Sequence, residues 1–165
     1  RLMAVAADMG SWHVCALIQV GGAEFALGRH VPAAQAFEQA RARAHERGRQ
    51  RHGATAGLAR VALAQGHAAT ALQEVERLLA HAATGGAEDF YRDIELACHQ
   101  VLAAIGDARA AEWLHIAHTK LQAQAAAITD ASLRQSFLTN IPEHREIVAA
   151  WAALQRKSGA ASDAE

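Results

Sequence analysis

Three glycines, Gly28, Gly66 and Gly106, stand 38 and 40 residues apart, and each closes an alanine-rich apolar stretch. Gly10 and Gly48 show the same interval of 38. That shift also carries Val20 onto Leu58, Gly21 onto Ala59, Phe25 onto Leu63, Ala33 onto Ala71 and Phe37 onto Val75. A shift of 40 carries Ala71 onto Ala111, Leu63 onto Ala103 and Val61 onto Val101. A recurrence of this length means that one supersecondary unit is used several times, and each unit buries its apolar face on its neighbours. The glycines supply the left-handed conformation that ends a helix at low steric cost. Pro32 then falls where a first helical turn tolerates it, and Asp107 is a good N-cap.

The unit is helical. Alanine makes up roughly a quarter of the chain, well above ordinary usage, and it is the best helix former. Val, Ile, Thr and Tyr are too scattered for a sheet. An all-α fold is therefore expected, as a single domain over 1–156. Residues 1–9 read as the tail of an earlier helix. Helix pairs follow at 11–28 with 31–47, 50–65 with 68–83 and 88–105 with 108–127, giving units of about 11–47, 50–83 and 88–127. Ala33, Ala71 and Ala111 fall one turn into the second helix of each pair, where a small side chain lets two helices cross closely. TGGAED (84–89) is the loosest joint.

The segment 128–151 differs from what precedes it. Thr129 and Asp130 can cap a short helix, ASLRQSFLT, whose apolar side is Leu133, Phe137 and Leu138. Asn140 ends it, and Pro142 opens another helix. Glu143 and Glu146 suit the positive end of that helix. Ile147, Val148, Trp151 and Leu154 form an apolar stripe. A stacked array needs such a cap, because its last unit has no neighbour. The cap spans 130–156, and 157–165 reads as a disordered polar tail.

The stretch GGAEFALGRHVPAAQAFEQA resembles a tetratricopeptide (TPR) unit: Gly21, Gly28, Ala33, Phe37 and Ala40 match that family's small and aromatic packing positions. The family's usual Trp and Tyr are missing from the first helix, and the period exceeds the family's repeat of about 34 residues. The resemblance implies a TPR-like α-solenoid of antiparallel helix hairpins with a C-terminal capping helix pair. The closing phrase, carried by Asp130, Leu133, Arg134, Phe137, Leu138, Ile141, Pro142, His144 and Arg145, resembles that of large bacterial signalling ATPases of the STAND type. Some of these carry cyclase or DNA-binding effector domains. The likeness covers about 90–154 well and 11–83 as generic repeats. It implies a non-catalytic sensor region that binds a partner, within a parent chain that carries ATPase or cyclase activity upstream. The opening at Arg1, already with helical spacing, fits a piece of a longer protein.

The formal net charge is −1, so bulk charge does not draw the chain to nucleic acid or to an anionic membrane. No apolar run approaches the ~20 residues of a membrane span. Cys15 and Cys98 are isolated, which fits a reducing cytoplasm. Among ten histidines, His115 and His118 could share one helix face near His99 and Cys98, but no zinc pattern supports them. The alignment instead puts both at the packing positions of Val75 and Leu78. The arginines of RARAHERGRQRH (41–52) form a candidate phosphate patch or a solvated helix end. The acidic residues Glu74, Glu76, Glu88, Asp89, Asp93 and Glu95 form a candidate docking patch or a solvated face. No P-loop, GxGxxG or GxSxG occurs, and Asp93 and Glu95 are too close in sequence to face each other on a helix. No catalytic residue, metal or cofactor is expected.

The remaining candidate is the concave face of the array, lined by the first helix of each pair. Three rows are expected there: Ile18, Gly22 and Phe25; Ala56, Arg60 and Leu63; Leu96, Gln100 and Ala103. This mostly apolar surface suits an amphipathic helix or an extended peptide. The expected partner is a protein, a peptide or another domain of the same chain. Nucleic acid is not expected for this region. The alternatives are a self-associating or spacer module, or a free-standing TPR-like adaptor.

Overall fold

The computed structural model describes residues 2–45, 48–86, 90 and 92–162. Side chains are described within 12–156. Eight α-helices and no strands occur among the described residues: α1 (Leu2–Ala26), α2 (His30–Arg43), α3 (Arg49–Ala64), α4 (Ala68–Ala83), α5 (Arg92–Ala104), α6 (Arg109–Ala126), α7 (Ala131–Thr139) and α8 (Pro142–Ser162). The all-α expectation holds. Each helix from α1 to α6 packs on the next in the chain, α1 and α5 also pack on α3, and α8 packs on α5, α6 and α7.

The turn glycines behave as their positions demand. Gly28, Gly66 and Gly106 have φ of 72°, 79° and 73°. After each, the next residue reaches back over the turn: Arg29 N–H donates to Glu24 O, His67 N–H to Ala62 O and Asp107 N–H to Leu102 O, each at 2.9 Å. The glycine N–H groups donate to Phe25, Leu63 and Ala103 O. This pair of bonds is the Schellman helix stop.

The turns differ in length by one residue. Ala33 N–H donates to Arg29 O and Ala71 N–H to His67 O, both four residues back, whereas Ala110 N–H donates to Asp107 O, three back. Asp107 shapes this turn: its Oδ1 accepts from Arg109 N–H at 2.9 Å, and α6 begins three residues after its glycine where α2 and α4 begin two after theirs. Ala110 is therefore buried and Ala111 exposed, which corrects the expected close-crossing alanine. Leu114 and Ala117, not His115 and His118, take the places of Val75 and Leu78 in the core.

Phe37 ties the first three helices together. It packs with Ala33, Leu58 and Val61. A Cβ at Gly21 of α1 would stand 2.8 Å from the Phe37 ring, and one at Gly57 of α3 only 2.5 Å from it. The ring thus occupies space that two flanking helices leave open by lacking side chains. Farther along, Val75 and Leu78 join Ile94, Val101, Phe90 and Trp113 in the largest core cluster.

The last two helices pack over α5 and α6. Ile147 is fully buried against Leu96, Leu114 and Leu121, with Phe137, Leu138, Val148, Trp151 and Leu154 packed around them. Asp130 caps α7, accepting from Leu133 N–H at 2.9 Å. Its carboxyl is held below the usual range by that bond and then by the Ser132 hydroxyl. Arg134 donates through Nε to Ile128 O at 2.9 Å and pins the chain entering α7. His144 Nδ1–H donates to Phe137 O at 2.8 Å and joins α7 to α8. Leu133 corrects the expected apolar side of α7: it is 63% exposed, and α7 meets the core through Phe137 and Leu138.

Two expected breaks are absent. Gly10 lies inside α1, so 2–9 and 11–26 form one helix. An interior glycine costs a helix about 1 kcal/mol but does not by itself end it. At the other end, the alanine-rich segment 157–162 continues α8. The expected start of the fifth helix near 88, residues 87–89 of the joint 84–89, and 163–165 lie outside the described residues.

Gly57→Ala is expected to lower stability by about 1–3 kcal/mol through overpacking, despite alanine's better helix propensity. In a Phe37→Leu background the same change costs less. Urea unfolding of the four proteins tests this, and equal costs in both backgrounds would exonerate the ring.

Candidate functional site

Small residues open a groove between α1, α3 and α5. No atom lies within 4 Å of where a Cβ at Gly22 would stand, and a Cβ at Gly53 would meet only Ile18 Cδ1, at 3.8 Å. Three cavities of about 490, 370 and 110 Å³ meet here, and Gln19 of α1 and Asp93 of α5 line all of them. One reaches Lys120 of α6 and Glu143 and His144 of α8. The second runs to Arg49 and Gln50 at the start of α3. The third runs toward Arg60.

The last helix closes one end of this groove. Glu146 Oε2 accepts from Gln100 Nε2 at 2.7 Å and lies 3.5 Å from Arg60 Nη2. The Arg60 guanidinium also sits 5.0 Å over the Phe25 ring, an arrangement favoured by the ring's negative face. Arg60 therefore joins α1, α3 and α8.

Asp93 stands at the groove's centre. Burial pushes its carboxyl above the ordinary value of 3.8, and the Glu143 carboxylate adds to the effect. Backbone N–H bonds at Ile94 and Asp93, and the charge of Arg60, oppose it. A carboxylate made costly to ionise inside a cleft is a mark of functional sites.

Of the expected face, Ile18, Gly22, Ala56 and Arg60 line the groove. Phe25 and Gln100 adjoin it through Arg60 and Glu146. Leu63 packs against the large core cluster. Leu96 is 1% exposed and lies beneath Ile147. Ala103 lines a separate cavity beside the α5–α6 turn. The third row fails because α8 lies over that side of α5. The lining is also more polar than expected. Asp93 could have been found from the sequence: shifts of 38 and 40 carry Cys15 onto Gly53 and Gly53 onto Asp93, and all three line the groove.

The other candidates are dispersed. Cys98 is buried in the core, its thiol pushed up to about 12 by burial and then by Glu95. His99 Nδ1–H donates to Ala110 O at 2.9 Å. His118 stacks on Trp151 at 4.5 Å and His115 tilts against the same ring. Burial and then His115 lower the His118 pKa. No group of three metal-binding side chains occurs among the described residues, and no described helix is long and apolar enough to cross a membrane. The acidic run does not form one patch. Glu74 pairs with Arg41 and Arg77, and Glu76 with Arg109. Glu95 is buried and accepts from Lys120 at 2.5 Å, while Glu88 and Asp89 lie outside the described residues.

Comparison of the chain with protein-family models, curated proteins and solved structures finds no match.

The raised Asp93 pKa sets a sign. The fold carries the cost of ionising Asp93 in full above the folded pKa, and that cost fades as pH falls toward 3.8. Asp93→Asn should therefore raise the melting temperature at neutral pH, with the gain shrinking toward pH 3.8. A loss at neutral pH would mean that the ionised carboxylate is well held, with Arg60 outweighing burial.

Proposed function

We propose that this chain is a TPR-like α-solenoid of helix hairpins that works as a non-catalytic protein-interaction module, taking an extended peptide segment in the groove between α1, α3 and α5. The observation that carries this reading is the groove itself. Its floor of glycine and alanine admits a backbone closely, and its walls offer charged and amide groups to fix orientation. Asp93 and Glu143 at its centre favour a segment bearing a basic side chain, which would offset the cost of ionising Asp93. The closing phrase supports a wider context: the sensor end of a cytoplasmic bacterial signalling ATPase or transcriptional regulator, with the cap helix α8 as the element that partner binding shifts.

The test blocks the groove without touching the core. Gly22 has open space around it, so Gly22→Trp fills the groove, while Gln35→Trp on the exposed side of α2 serves as control. Peptides selected from a random library on the wild-type chain should lose binding to Gly22→Trp and keep it with Gln35→Trp. Binding indifferent to Gly22→Trp would sink the groove reading.

A second reading, self-association, is favoured by one observation. Trp12 and Val20 along α1, and Leu27 and Val31 at the first turn, are 52–71% exposed. The shift of 38 carries Val20 onto Leu58, which is buried. This apolar face would suit another helical unit. Sedimentation of wild type and Val20→Glu over a concentration range decides it: a monomer throughout removes this reading, and a dimer lost in Val20→Glu supports it.

A further inference from the structure

The arginine-rich segment at the end of α2 and the start of α3 has a second role open to it, away from the groove. Arg41 of α2, Arg51 and His52 of α3, and Arg77 and His81 of α4 line one cleft of about 500 Å³. None of them lines the groove cavities. We propose that this cleft binds a phosphoryl group carried on a small molecule or on a phosphorylated side chain.

The geometry is that of a prepared anion site. Glu74 holds two guanidinium groups side by side, accepting from Arg41 Nη1 at 2.9 and 3.0 Å and from Arg77 Nη1 at 2.9 and 3.1 Å. Arg51 Nη1 donates to Arg41 O at 3.0 Å, which closes the end of α2 and draws the third guanidinium to the same place. All three arginines engage the protein through Nη1 alone, and their Nε and Nη2 groups donate to no described protein atom. Three arginines against one glutamate leave a formal surplus of two positive charges at the cleft.

The histidines add to this. The His52 and His81 rings lie 4.1 Å apart. His81 Nε2 is buried and has no hydrogen-bond partner among the described residues. That nitrogen lies against Gly86, so the two rings wall the cleft and the guanidinium groups supply its donors. A phosphoryl group fits the set, because its several oxygens can receive donors from different directions, as forked guanidinium groups present them. A carboxylate has only two oxygens for three guanidinium groups. The cleft is also larger than a bare phosphate, which leaves space for whatever bears the group.

The experiment titrates inorganic phosphate, phosphoserine and AMP into the full chain at low ionic strength, with sodium chloride as the reference anion. Arginine Nε–H resonances are followed by NMR. Saturable shifts confined to Arg41, Arg51 and Arg77 are expected, with little response to chloride. Arg77→Gln and Arg51→Gln should each weaken binding by about tenfold or more, the loss of one charge-assisted hydrogen bond. Arg109→Gln, which removes an arginine outside the cleft, should leave it unchanged. Arg77 is largely exposed, so its variant keeps the test valid if Arg51→Gln loosens the end of α2. A stronger response to phosphoserine than to AMP identifies a phosphorylated side chain, and the reverse order a nucleotide. Equal affinities for all three place recognition in the phosphoryl group alone. A linear, unsaturating response, or equal weakening by Arg109→Gln, overturns the proposal.

Discussion

The structure depends on one phenylalanine filling space that two glycines vacate. Phe37 of α2 lies against Gly21 of α1 and Gly57 of α3, closer than any Cβ at those positions would allow. Aromatic side chains are few in this chain, and alanine supplies little volume for a core. Close helix approach compensates, because dispersion contacts rise steeply as backbones near one another. The groove opens beside this contact: Phe37 and Gly57 line part of it, together with the small residues Gly22, Gly53 and Ala56.

A second determinant is the length of one turn. The turn before α6 is one residue longer than those before α2 and α4, yet it is tightened on Asp107, so the buried positions of α6 come one residue sooner after the glycine. Leu114 and Ala117 turn inward. His115 and His118 move to the edge, where Trp151 of α8 lies against both. Part of the surface on which α8 rests is therefore in register with the turn at Asp107, whose carboxyl is held down to about 2 by the Arg109 side chain and backbone.

Much of this was legible in the sequence, and the failures share a cause. Helix stops at Gly28, Gly66 and Gly106 were visible because left-handed glycine is a local requirement. The helices α7 and α8 were visible because Asp130, Pro142 and the stripe from Ile147 to Leu154 act within a few residues. The misplaced positions depend on contacts between distant elements. Leu96 reads as a groove residue until α8 covers it. Leu133 reads as apolar packing until its turn is found to reach no neighbour. Asp93 was counted among surface acids, although the intervals that align Cys15, Gly53 and Asp93 place it in the groove. The arginines of 41–52 read as a phosphate patch or a solvated helix end, and the choice stays open in the sequence because Arg77 of α4, which joins them in one cleft, is not adjacent to them in the chain.

The bond between Arg60 and Glu146 has a further consequence, for how the molecule comes apart. In a linear stack each unit leans only on its neighbours, and the ends can fray while the middle persists. Here residues 86 positions apart are joined, and the cap helix reaches α3 and α5 as well as α6. Loss of α8 would expose Leu96 and release Arg60 from its carboxylate partner in the same event. Unfolding that begins at the C-terminal end would thereby be felt at α3, in the middle of the chain.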